Sequence, residues 1–186
     1  FAQAEMPDTL WTASVVLGDA YAMEGHAALA RRQYERGLAL LPAQSGDWPY
    51  LLWLRRLVAD RPDVVRVLVS GLPPERKAAV LEAAGGGGAV RMLAALQLAE
   101  GERFREAAQL MEAVRAPQEL PLAERLALER QRLAWTARFF YHAREPAQAV
   151  RYAEAAAHAW RSAGDVDAAA WLHGLAEKYR WADENL

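Results

Sequence analysis

Residues 17–42 read LGDAYAMEGHAALARRQYERGLALLP, and the spacing within them decides the fold. Just upstream, Trp11, Val15 and Val16 join Tyr21 and Ala22 near a helical period, which predicts a first helix that Asp8 or Thr9 can open by accepting a free amide. That helix is expected to end near Gly25, and a second runs from about His26 to Leu41. Pro42 stops it, because proline has no amide to continue the ladder. Gly18 and Ala30 are small where the two helices approach, and Tyr21 and Tyr34 fill the space beside them. Residues 11–44 thus read as an antiparallel hairpin of about 34 residues, a period worth testing for repetition.

The pattern recurs more loosely downstream. Residues 89–121 contain a second hairpin, with Ala94, Ala95 and Leu98 on its first helix, a turn at Gly101, and Phe104, Ala107, Met111 and Val114 on its second. Residues 122–163 form a longer pair, with Phe140 and Tyr141 near the turn, Pro146 opening the second helix, and Ala149, Ala153 and Ala156 as small contact positions. Residues 164–186 are expected to supply a capping helix, opened by Gly164-Asp165. Residues 45–88 depart from the repeat and read as three shorter helices, 48–59, 62–70 and 74–84, followed by Gly85 to Gly88 as a flexible joint. The run Val64, Val65, Val67, Leu68, Val69 has strand propensity, but a lone strand has no partner, so helix is the expectation there.

In the 17–42 hairpin, Leu17, Gly18, Tyr21, Gly25, Ala30, Tyr34, Gly37, Leu38 and Pro42 fall in the register of the tetratricopeptide repeat, and the stretch resembles that family. The resemblance implies one all-α domain over residues 1–186, its antiparallel hairpins stacked as a right-handed superhelix, an α-solenoid with an extended concave face. In that family the first helix of each pair mostly lines the groove. Carried across, the register offers Asp19 and Met23, with Thr12, Val15 and Ala22, from the first pair. The second offers Met92 and Leu96 with Ala99 and Glu100, and the third Arg138, Tyr141 and His142 with Gln131 and Ala134. The last helix offers His173, Glu177, Arg180 and Trp181. Some family members grip a partner's C-terminal carboxylate with basic and amide side chains. Asp19 and Ala22 stand where the first repeat needs such donors, which argues against that role.

Composition narrows the function classes. The 186 residues carry 22 basic and 24 acidic side chains, so no field of one sign favours nucleic acid or a polybasic membrane role. There is no cysteine, which excludes disulfides, thiol catalysis and cysteine-ligated metal. No apolar run approaches the length of a spanning helix. Alanine fills about a fifth of the chain, a helix-forming bias. Arginine outnumbers lysine, present only at Lys77 and Lys178, as expected of a GC-rich bacterial genome rather than of a site.

Catalytic patterns are missing. His26, His142, His158 and His173 form no HExxH pair, Gly85 to Gly88 lacks the strand and lysine of a phosphate loop, and none of Ser14, Ser45, Ser70 and Ser162 lies in a GxSxG elbow. Glu124 and Glu129 read as solvated carboxylates paired with Arg125 or Arg130. The expectation is a non-enzymatic scaffold, without metal or cofactor, that binds a peptide or partner helix of another protein. Homo-oligomerisation stays open. A cytoplasmic setting is favoured, although Phe1-Ala2-Gln3-Ala4 has the small-x-small pattern of a cleaved leader, which would make the chain an exported or periplasmic subunit of an envelope assembly or secretion apparatus. A sensory or regulatory module of a larger regulator is the other alternative.

Overall fold

Proline and glycine punctuate the chain into helices much as their chemistry dictates. The computed structural model describes residues 2–185, with side chains from Thr9 onward; the leader reading of residues 1–5 and the capping role of Asp8 lie outside the described side chains. Ten helices occupy the described residues, and no strand does: α1 (Ala2–Met23), α2 (Ala27–Leu40), α3 (Trp48–Leu57), α4 (Pro62–Val69), α5 (Pro74–Ala84), α6 (Gly88–Glu100), α7 (Phe104–Ala113), α8 (Leu122–His142), α9 (Pro146–Ser162) and α10 (Val166–Asn185). α1 runs through Asp8 and Thr9 instead of opening on them. The valine run is helix α4, because Val64, Val65 and Leu68 fall on one side of it and are buried together. Pro62 and Pro146 sit in first turns, where a missing amide costs nothing.

The most regular feature of the chain is its hairpin turn. At the ends of α1, α6, α8 and α9, one residue adopts the left-handed conformation: Gly25 (φ 85°), Glu102 (φ 61°), Arg144 (φ 62°) and Gly164 (φ 85°). In each case its amide and the next one turn back onto the helix just completed. Gly25 N–H donates to the Ala22 carbonyl at 3.1 Å and His26 N–H to Tyr21 at 2.8 Å. Arg144 N–H donates to Tyr141 at 3.0 Å and Glu145 N–H to Phe140 at 2.9 Å. Glu102 with Arg103, and Gly164 with Asp165, repeat the arrangement. This is the double bond pattern that satisfies orphan carbonyls at a helix end. Five residues after each left-handed position stands an alanine, Ala30, Ala107, Ala149 or Ala169, each at most 1% exposed. The second turn was expected at Gly101; the left-handed residue is Glu102, and Gly101 has φ −82°.

Contacts divide the chain into two compact units, one reaching to Leu72 and including Ala83–Gly85, the other comprising Pro73–Glu82 and the chain from Gly86 onward. In the first, α1 and α2 pack as a hairpin, with α3 on α2 and α4 on α1. Tyr34 is fully buried, and its ring lies where a Cβ on Gly18 would stand, 2.6 Å from Cε1. Trp11 meets Trp48 edge-on at 4.8 Å, and Arg66 donates to the Met23 carbonyl at 2.7 Å, closing the end of α1 from α4. In the second unit each helix from α6 to α10 packs on the next. Side chains also link every other helix: Tyr141 of α8 stacks on Tyr179 of α10, while the Tyr152 hydroxyl of α9 donates to Glu112 of α7. The result is a repeat-like helical arrangement within this unit.

A buried cation ties this unit together. Arg132 is 5% exposed; its guanidinium donates to Glu129 at 2.6 and 2.8 Å and to the Met111 carbonyl at 2.8 Å. Glu129 also accepts the Ala116 amide at 3.1 Å. Glu129 is therefore a clamp on the joint between α7 and α8, where a solvated partner of Arg130 was expected.

The turn geometry sets two stability outcomes. Glu102→Gly should stabilise by about 1 kcal/mol, because the side chain's left-handed penalty is removed, and Gly164→Ala should destabilise by a similar amount. Gly18→Ala should cost about 1–3 kcal/mol, because it drives a methyl into the Tyr34 ring. Urea unfolding of the three variants reads all of these effects.

Candidate functional site

The ends of α6 and α8 and the start of α7 converge on one hollow. Leu96, Ala99 and Glu100 follow i, i+3, i+4 spacing and so share a side of α6, and Arg138 and His142 share a side of α8. The turn through Glu102 returns Phe104 to the same place. Together with Phe139 these residues line a depression of about 240 Å³. Its wall is aromatic: His142 lies 4.9 Å from Phe104, at 30°, and 5.7 Å from Tyr141, edge-on. Tyr141 continues the surface by stacking on Tyr179 at 4.3 Å. The Arg138 guanidinium stands 5.7 Å from the Phe139 ring. Burial, reinforced by Tyr141, pushes the Tyr179 phenol up to about 12, with Arg138 opposing, so this hydroxyl stays neutral and can donate at ordinary pH.

The rim carries one carboxylate, one guanidinium and one imidazole, Glu100, Arg138 and His142, all exposed. Its lining holds no hydroxyl, thiol or amine nucleophile. Typical small-molecule sites enclose roughly 300–1,000 Å³. This hollow is smaller. Among the described residues no three His, Asp or Glu side chains gather closely enough to hold a metal ion, and no helix is long and apolar enough to cross a membrane.

The sequence-derived groove residues divide. Leu96, Ala99, Glu100, Arg138 and His142 meet at the hollow, with Tyr141 beside it. Met92 does not join them: it is fully buried, because α6 has core residues on nearly every side. In the other unit Val15, Asp19 and Ala22 are core residues too, and Met23 is half-buried. On α10, Arg180 is engaged by Glu177 of its own helix and Glu154 of α9. His173 and Glu177 are exposed, and Trp181, two residues after Tyr179, projects from nearly the opposite side of the helix. Phe104 and Phe139 were not anticipated as lining. Phe104 carried a usable signal, as the first helical residue after a turn that faces the neighbouring hairpin.

Asp19 owes its burial to two partners. Its Oδ1 accepts the Tyr34 hydroxyl at 2.8 Å and Arg55 Nη1 at 3.0 Å. Burial raises its pKa above 3.8 and outweighs the lowering by Arg55 and the Tyr34 hydrogen bond. The same burial, with the carboxylate alongside, pushes the Tyr34 phenol far up. A raised folded-state pKa gives stability that is full below 3.8 and is lost as pH rises through the folded value. Relative to Asp19→Asn, the native chain should therefore lose stability across that window. Urea unfolding of both from about pH 3 to about pH 7 tests the sign, and parallel curves would contradict it.

Comparison of the chain with protein-family models, with curated proteins and with solved structures gave no match.

Proposed function

We propose that the chain is a non-enzymatic binding module that holds a peptide or partner helix of another protein against the hollow between α6 and α8. The observation that carries this reading is the convergence of Leu96, Glu100, Phe104, Arg138 and His142 on one exposed, aromatic-walled depression. Aromatic and arginine side chains around a small pocket are the composition from which binding anchors are made. The near balance of 22 basic and 24 acidic residues favours a protein partner over nucleic acid.

The register of residues 17–42 and the recurrent turn with its alanine five positions on support a further part of the proposal. In it, each hairpin is a tetratricopeptide-like pair whose first helix offers the binding side.

A photo-reactive residue at position 142 should crosslink a discrete protein in host cells, whereas one at His158, exposed on α9, should not. Phe104→Ala with Arg138→Ala should lower the yield at position 142 by at least about tenfold, equivalent to roughly 1.4 kcal/mol, with the helical circular dichroism unchanged. Identical products from both positions, or an unaffected yield in the double variant, would overturn the proposal.

A further inference from the structure

The outward side of α10 is built unlike a solvated helix face. Ala169, Leu172, Ala176 and Tyr179 are buried, and the opposite side presents Ala170, Trp171, Gly174, Lys178 and Trp181. Trp171 and Trp181 are each 67% exposed. Between them Gly174 interrupts the helix interior, where alanine is the better helix former. A Cβ on Gly174 would meet nothing within 4 Å, so packing inside the chain does not call for glycine there. A second backbone arriving at this face would.

We propose that α10 pairs antiparallel with α10 of a second copy of this chain. The order of the outward side reads nearly the same in both directions about position 176: Asp167 mirrors Asn185, Ala170 mirrors the half-buried Ala182, Trp171 mirrors Trp181, and Gly174 mirrors Lys178. Antiparallel pairing about a two-fold axis therefore sets tryptophan against tryptophan and lays each Lys178 stem into the space left by the other copy's Gly174. It also brings the ammonium beside Trp171 of that copy, a favourable contact for a cation. Parallel pairing would instead oppose Lys178 to Lys178 and Asp167 to Asp167, so charge selects the antiparallel form. Area is sufficient in scale. Two-thirds of a tryptophan is on the order of 150 Å², and four of them supply about half of the roughly 1,200 Å² of a small stable interface. The alanines and lysine stems add to it.

This pairing is independent of the α6–α8 hollow. Sedimentation equilibrium of the intact chain should show a monomer–dimer equilibrium, with Trp171→Ala plus Trp181→Ala weakening it at least tenfold. Gly174→Leu separates interface from fold: it should weaken the dimer at least tenfold while the unfolding temperature, read at a concentration where both chains are monomeric, stays equal or rises. The chain has no cysteine, so Asp167→Cys and Asn185→Cys each introduce a single thiol. Mild oxidation should link a mixture of the two and leave each alone largely unlinked, since like positions lie about 27 Å apart in the antiparallel pair. A chain that stays monomeric at several hundred micromolar, a dimer indifferent to these substitutions, or linkage between like thiols would overturn the proposal.

Discussion

At each hairpin the chain must reverse direction and then run its next helix close against the last. One residue in the left-handed conformation accomplishes the reversal, and an alanine five positions later permits the approach. Glycine meets the first demand without strain at positions 25 and 164, whereas Glu102 and Arg144 accept a backbone penalty that the surrounding helices hold in place. A larger side chain at Ala30, Ala107, Ala149 or Ala169 would separate the helices, because interiors leave no slack for added atoms. Within the second unit the placement of α6 beside α8, and so the hollow between them, depends on that approach.

Helix boundaries were largely legible because they rest on local chemistry. Proline in a first turn, glycine after a last one and a four-residue apolar spacing locate α2 to α5 and α9 within a residue or two. Surface assignment was less legible, because it rests on contacts far apart in the chain. Asp19 reads as a solvent-facing carboxylate until Tyr34 and Arg55, 15 and 36 positions on, close over it. Met92 lies in a stretch, residues 89–98, that is apolar nearly all round except at Arg91 and Gln97, a pattern of burial that the groove register passed over. Glycine was ambiguous in a similar way: Gly88, read as part of a flexible joint, stands where a Cβ would lie 2.7 Å from the Arg115 carbonyl oxygen.

The residues offered for a groove at the ends of α6 and α8 lie together, whereas those offered on α10 do not join them. On α6 and α8 the helix-face geometry that brings i, i+3 and i+4 residues together applies directly, and five of the named residues meet. On α10 the register lists residues from more than one side. His173, Glu177 and Arg180 follow i, i+4, i+7 spacing, with Arg180 held by Glu154 of α9, while Trp181 projects outward from another side.

Arg132 gives the second unit a property that neither packing area nor helix propensity supplies. One guanidinium belongs to α8 by covalent bond, to α7 through the Met111 carbonyl, and, by way of Glu129, to the joint at Ala116. Detaching α7 alone would leave that charge, buried inside the unit, short of a partner and expose a helix end without its cap. Stacked hairpins otherwise open one neighbour at a time. Here α7, α8 and the joint between them share a single electrostatic knot, so opening on one side of the joint strands buried charge on the other.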